Sequence, residues 1–276
     1  MKTLYLTDLD GTLLDKDSRL SDFSRETINR LIQKGMLFSY ATARSLSSAS
    51  VVTDGLRLKL PVIVHNGTFL ADSVNGEIKE AVTFTPRELL TIRGVLRKYG
   101  IYPLVYSFIE GKQRVSWLRE KENKGISFYI QSRQGDPRLR CVGSEAELYA
   151  GENFYFTCIG TQAELAPVYI RLKAELNCIF QKELYRPEFW CEILPRGASK
   201  ANAAKRLTEW CGSHRLVVFG DALNDMPMFE AGDESYAPEN AVEQVRRAAT
   251  GLIPSNERDG AVSYTHLGRR QVRSAG

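Results

Sequence analysis

Apolar positions fall in short blocks whose period switches between that of a strand and that of a helix. Met1–Thr7 is strand-like, and Phe23, Ile28, Leu31 and Ile32 repeat at the spacing of an amphipathic helix that Gly35 closes. Met36–Ala41 reads as the next strand, Ser45–Leu56 as a helix and Pro61–Val64 as a third apolar run. Such alternation predicts a parallel sheet with helices on its faces. The rhythm breaks over residues 69–84, where Val74-Asn75-Gly76-Glu77 carries the turn chemistry of a hairpin. Thr85-Pro86-Arg87-Glu88 then reads as a capping box with proline at the first helical position. The helix it opens carries Leu89, Leu90, Val95 and Leu96 and ends at Gly100.

Beyond it, Ile101–Ile109, Val115–Leu118, Asn153–Gly160 and Ile179–Tyr185 are strand-like. Arg119–Lys124 reads as a solvated turn and Arg133–Arg140 as a loop, and Pro167 obscures the start of a helix that reaches Leu176. After Trp190–Leu194 the alternation returns: helix Ser199–Cys211, strand Arg215–Gly220, short helix Asp225–Glu230, helix Asn240–Thr250 and strand Gly251–Pro254. Asp259–Leu267 is expected to close the fold as a helix, and the polar tail Gly268–Gly276 to fray. The pattern predicts an α/β protein with a doubly wound, Rossmann-like parallel-sheet core. That core is built from residues 1–83 and 191–276, with an α+β unit inserted at 84–190.

Composition narrows the function. The 276 residues are 43% hydrophobic and 25% charged, which is ordinary for one large or two moderate globular domains. A net charge of +4 with both signs interspersed gives no basic stripe for nucleic acid. No run approaches the roughly eighteen apolar residues of a membrane span, and no charged-then-apolar leader opens the chain. Cys141, Cys158, Cys178, Cys191 and Cys211 are dispersed without a C-x-x-C pair, which reads as reduced thiols in a cytoplasmic protein. His65, His214 and His266 are isolated, so a histidine metal site is not expected.

The chemistry concentrates at three strand ends. Tyr5-Leu6-Thr7 runs into Asp8 and then Asp10, Phe38-Ser39-Tyr40-Ala41 into Thr42, and Val217-Val218-Phe219-Gly220 into Asp221. Two carboxylates at the end of a core strand need partners. In open parallel sheets, ligands bind beyond the carboxyl ends of the strands, so these ends predict one convergent site. Asp221-Ala222-Leu223-Asn224-Asp225 adds acceptors. Oxygen-only donors favour a hard cation, Mg²⁺ where a phosphate completes the shell. Such an ion lets Asp8 stay ionised and leaves Asp10 to give or take a proton.

Asp8-Leu9-Asp10-Gly11-Thr12 resembles the first motif of the haloacid-dehalogenase-like hydrolase superfamily. Thr42 falls at its second motif, Lys200 in Gly197-Ala198-Ser199-Lys200 at its third, and Gly220-Asp221-Ala222-Leu223-Asn224-Asp225 at its fourth. The insert between the second and third motifs, and Asn66-Gly67 after the third strand, look like the Cof-like sugar-phosphatase branch with its α+β cap. The resemblance implies a cytoplasmic, Mg²⁺-dependent phosphatase for small phosphorylated metabolites such as sugar or cofactor phosphates. In it Asp8 is the nucleophile that forms an aspartyl-phosphate, and Asp10 is the acid and then the base. Thr42 and Lys200 hold the phosphoryl group, with Ala43, Arg44, Asn66 and Asn224 beside them. Asp8, the backbone carbonyl of Asp10, and Asp221 hold the metal, steadied by Asn224 and Asp225.

Bland readings stand beside these. Lys200 alone is an ordinary surface lysine, Thr42 an ordinary strand residue, and Asn224 and Asp225 can simply cap a helix. Ala43 replaces a family glycine where the backbone approaches phosphate, and Ala198 replaces a bulkier residue. Arg44 faces either the leaving group or solvent. In the insert, strand alternation assigns Tyr102, Tyr106, Trp117, Phe128, Tyr129, Tyr155, Tyr185 and Trp190 mostly to a core, while Arg114, Arg186 and Glu188 are open candidates for substrate. Two rivals remain: a phosphotransferase or mutase using the same intermediate, and a phosphometabolite-binding protein without turnover. The pattern leaves the oligomeric state open.

Overall fold

The computed structural model describes residues 2–182 and 186–263. In chain order the first segment contains β1 (Thr3–Thr7), α1 (Asp22–Gln33), β2 (Leu37–Tyr40), α2 (Leu46–Val52), β3 (Val62–Val64), β4 (Phe69–Ala71) and β5 (Ile78–Ala81). The middle segment opens with α3 (Pro86–Tyr99), β6 (Leu104–Ile109), β7 (Lys112–Leu118), α4 (Lys124–Gln131) and β8 (Leu139–Val142). It continues with α5 (Glu145–Leu148), β9 (Glu152–Gly160), α6 (Gln162–Leu172), β10 (Asn177–Lys182) and β11 (Phe189–Leu194). The last segment holds α7 (Lys200–Cys211), β12 (Arg215–Phe219), α8 (Met226–Ala231), β13 (Glu234–Pro238), α9 (Glu243–Ala248) and β14 (Gly251–Ile253).

Two compact units result, Met1–Ala81 with Ser199–Gly276, and Val82–Ala198. The division falls at 81/82 and 198/199 rather than at the expected 83/84 and 190/191. The second difference has a clear cause. Strand β11 pairs along its length with β10 and β9, so residues 191–194 belong to the inserted sheet.

The first unit is a five-stranded parallel sheet in the order β14-β13-β12-β1-β2. Its central strands bury Leu4, Leu6, Val218 and Phe219 almost completely, each worth roughly 1.5–3 kcal/mol of transfer free energy. Ala203, Ala204 and Leu207 of α7 pack into the same core. The third apolar run does not extend this sheet as a full strand. It touches β2 through one parallel bridge, Ala41 to Ile63, and then pairs antiparallel with β4, which pairs with β5. Phe23, expected on the inner face of α1, is 48% exposed, so Ile28, Leu31 and Ile32 carry that face.

Between β3 and β4 the chain takes three consecutive left-handed residues: His65 (φ 49°), Asn66 (φ 52°) and Gly67 (φ 95°). A Cβ at Gly67 would overlap the backbone carbonyl of Ser199, so only glycine lets this turn rest against the start of α7. The Arg206 guanidinium donates to the Gly67 carbonyl at 3.1 Å from about two turns further along the helix.

The inserted unit is a six-stranded sheet in the order β10-β11-β9-β6-β7-β8, antiparallel except for the β7–β8 pair. Its core lies where α3, α5 and α6 cover one face through Ile92, Leu96, Leu148, Leu165, Val168 and Leu172. The capping box at Thr85 and Glu88 is formed, and a second one, Thr161 with Glu164, starts α6 at Gln162 with Pro167 inside the helix. Leu90, assigned to the inner face of α3, is 72% exposed. Of the insert's aromatics, Tyr106, Trp117, Tyr129 and Tyr155 are buried, whereas Phe128 is 43% exposed and Tyr185 lies outside the described residues. A helical stretch covers residues 260–263; the remainder of the expected closing helix and the tail also lie outside the described residues. Among the described residues no helix is long and apolar enough to cross a membrane.

Gly67→Ala should therefore cost about 2 kcal/mol or more of unfolding free energy, from backbone strain plus the overlap with Ser199. Urea denaturation measures it; a midpoint equal to wild type would show that the turn does not depend on this approach.

Candidate active site

Register brings the predicted residues together. Thr7 pairs with Phe219 on one side and Tyr40 on the other, so β12, β1 and β2 end level. Beyond that line lie Gly220 and Asp221, Asp8, and Ala41 and Thr42. The Asp8 N–H donates to the Phe219 carbonyl at 2.9 Å and the Ala41 N–H to the Thr7 carbonyl at 2.8 Å. Neighbouring strands about 4.8 Å apart then hold three polar side chains within reach of one another.

Lys200 is the first residue of α7, whose N-cap is Ser199. A cation at a helix N-terminus opposes the helix dipole, so this one needs compensation. Its ammonium donates to Asp8 Oδ1 at 2.5 Å and to Asp225 Oδ1 at 2.7 Å, and its side chain is 1% exposed. Asp225 is equally occupied on its other oxygen, which accepts the backbone N–H groups of Asp221 (3.0 Å) and Ala222 (3.1 Å). Asp221 Oδ1 accepts the Thr12 hydroxyl at 2.9 Å. Gly11 (φ 81°) makes this possible: a Cβ there would overlap the Asp221 carboxylate.

Carboxylate oxygens of Asp8, Asp221 and Asp225 lie within 4.8 Å of one another. Three carboxylates against one ammonium leave two negative charges unbalanced in a buried place. The consequences are large. Burial raises the Asp8 carboxyl well above its ordinary range; Lys200 opposes this, while Asp225, Asp221 and Asp10 add to it. Burial, with Asp225 next, pushes Asp221 up to about 7. For Lys200, burial works against the charge, but Asp225 and Asp8 outweigh it and hold the ammonium protonated.

The other predicted residues divide. Asp10 stands outside the cluster, gripped by Arg44: Nε donates to Oδ2 at 2.7 Å and Nη2 to Oδ1 at 2.6 Å. Arg44 was expected at a leaving group or in solvent, and the structure gives it this ion pair instead, with Ser18 and Ser48 as further partners. Thr42 is buried, and its hydroxyl oxygen accepts the Arg44 N–H at 3.1 Å. Ala43 is exposed and is not among the residues with positive φ, so its methyl group adds no backbone strain where the family has glycine. Asn66 and Asn224 meet each other through a long contact of 3.4 Å. Asp225, expected at a metal, already spends both oxygens on Lys200 and two amides. In the inserted unit, Arg186 forms a bidentate pair with Glu188, and Arg114 donates to the Pro137 carbonyl.

The donor set fits a hard divalent cation. It offers only oxygen, carries an excess of two negative charges, and keeps Asp8 Oδ2 free of hydrogen bonds among the described residues. Thr12 and Gly11 had no assigned role in the sequence reading. Their signal was present in the quoted motif, because a glycine followed by a hydroxyl residue suits a close turn against an acceptor.

Asp221 supplies a pH prediction. Its carboxyl is raised in the fold from 3.8 to about 7, so the metal-free protein is favoured while that group is protonated and loses stability as pH rises through about 7. Thermal denaturation across that window should show the loss; Asp221→Asn should reduce it to the part due to Asp8, and a saturating divalent cation should flatten it. Persistence of the full slope in Asp221→Asn would assign it elsewhere.

A sequence profile described as haloacid dehalogenase-like hydrolase matches residues 5–264. Among curated proteins, the chain is 23% identical over 269 residues to the 5-amino-6-(5-phospho-D-ribitylamino)uracil phosphatase YitU of Bacillus subtilis, covering 95% of each chain. It is 25% identical over 274 residues to the pyridoxal phosphate phosphatase YbhA of Escherichia coli, covering 94% of this chain and 97% of that one. Among solved structures, the phosphatase BT1666 from Bacteroides thetaiotaomicron superposes with a TM-score of 0.78 at 20% identity, over 97% and 96% of the two chains. With the motifs gathered at the ends of β1, β2 and β12 and the profile spanning nearly the whole length, the chain belongs to the haloacid dehalogenase-like hydrolase family.

Proposed function

We propose that this protein is a Mg²⁺-dependent phosphatase that hydrolyses small phosphomonoesters through an aspartyl-phosphate on Asp8. The observation that carries the reading is the state of Asp8. One oxygen is fixed by Lys200 while the other accepts no hydrogen bond among the described residues, at the end of a central strand. A carboxylate held in this way is oriented to attack phosphorus rather than to seek a partner. The names of YitU and YbhA, both phosphatases of small phosphorylated metabolites, support the substrate class.

In this scheme Asp8 Oδ2 attacks phosphorus, and the ester P–O bond breaks as the new P–O bond forms. Asp10 gives its proton to the departing alkoxide, then takes one from the water that attacks the aspartyl-phosphate, releasing phosphate and restoring Asp8. To carry that proton Asp10 leaves its pair with Arg44. Thr42 already accepts the Arg44 N–H on its oxygen, so its own O–H is left to donate to a phosphoryl oxygen. Lys200 offsets the charge on Asp8 and on the phosphoryl group. Asp8, Asp221 and the main-chain carbonyl of Asp10 would hold Mg²⁺, which supplies neutralisation of the phosphoryl charge. Asp225 serves instead to fix Lys200 and the Asp221 backbone.

Phosphate release from an aryl phosphate and a panel of sugar and cofactor phosphates tests this. Chelator and Asp8→Asn should each reduce release by about 10³-fold or more, the scale of removing a nucleophile or its charge compensation. Release that survives Asp8→Asn at the wild-type rate would overturn the covalent route.

A further inference from the structure

We propose that Asn240 is a positioning residue for this reaction, tying together the two loops that carry Asp8 and Asp221. The inference rests on the phosphatase reading for its kinetic part only. Asn240 lies in the turn just past β13, a strand that bears no predicted chemistry. Its side-chain N–H donates to the Gly11 carbonyl at 2.7 Å, and its side-chain oxygen accepts the Asn256 N–H at 3.0 Å. Two residues later, the Val242 N–H donates to the Asp221 carbonyl at 3.0 Å. One short segment therefore holds the turn after β1 and the turn after β12 at once.

The grip on the first turn has a second point. The Asn256 side chain, itself nearly buried, donates to the Leu14 carbonyl at 2.8 Å. Gly11 and Leu14 bracket the tight turn in which the Leu13 and Leu14 N–H groups both reach back to the Leu9 carbonyl. Fixing the Gly11 carbonyl fixes the Gly11–Thr12 peptide plane, and with it the Thr12 hydroxyl on Asp221. A single side-chain amide thus bears on Thr12 and, through its hydroxyl, on Asp221, by bonds of ordinary length and without touching substrate.

Asn240 is exposed, so its replacement leaves the core intact. Asn240→Asp keeps the acceptor for Asn256 but removes the donor to Gly11, and Glu239→Ala beside it serves as a surface control. Asn240→Ala and Asn240→Asp should each weaken Mg²⁺ affinity about tenfold by calorimetry, the scale of one lost hydrogen bond. They should lower kcat by a similar factor with KM nearly unchanged, at an almost unaltered thermal midpoint. In the metal-free protein, hydrogen exchange at the Thr12, Leu13 and Leu14 amides should quicken in both variants and not in Glu239→Ala. Wild-type Mg²⁺ affinity and amide exchange in Asn240→Ala, or full wild-type behaviour in Asn240→Asp, would overturn the inference. If the wild-type protein releases no phosphate from any ester, the phosphatase reading fails alone, and the affinity and exchange measurements still decide this one.

Discussion

A buried ammonium shared by two buried carboxylates organises this molecule. Lys200 reaches Asp8 and Asp225 from the first turn of α7, where the helix dipole disfavours a cation. Buried charges gain little net stability even when paired, and removing one partner leaves the other uncompensated. Such an arrangement survives because it fixes an orientation. Asp225 also holds the Asp221 backbone, Thr12 holds the Asp221 side chain, and Gly67 lets the left-handed turn rest against Ser199. Each contact narrows where Asp8 can point.

The same cluster is deliberately short of positive charge. Structural ion pairs normally balance, whereas here two negative charges remain, and burial first, then the neighbouring carboxylates, raise Asp8 and Asp221 together. Groups displaced this far by burial and by one another mark a site that expects a further ligand. Arg44 and Asp10 form the contrasting case, a balanced bidentate pair at the edge of the cluster. That pair orients the carboxylate, and in the proposed reaction it opens before Asp10 transfers a proton.

Much of the parallel-sheet core was legible because its signals are local: an apolar strand, then a polar residue at the strand end. Asp8, Thr42 and Asp221 could be placed from that alone, whereas Lys200, at the head of α7, was placed by its resemblance to a family motif. Strand β13 was not recognised, because Glu234–Pro238 has few apolar residues and its burial comes from β12 and β14 on either side. Helix α4 was hidden by its aromatic and β-branched residues, which favour strands; the Asn123 side chain starts it by capping the Ile126 N–H at 2.9 Å. At the site, Arg44's pairing with Asp10 and Asn240's reach to Gly11 span 34 and 229 residues, so no local pattern announces them. The unit boundary at 198/199 was hidden for a related reason, since β11 reads identically whether it ends one sheet or begins another.

Calorimetric titration of the metal-free protein with Mg²⁺ near neutral pH, repeated in buffers of different ionisation enthalpy, tests the charge shortage most directly. Binding of one ion with release of protons from the Asp8 and Asp221 carboxyls, and a smaller release in Asp221→Asn where only Asp8 remains, is the predicted result. Absence of binding, or binding whose heat is the same in every buffer, would contradict the account.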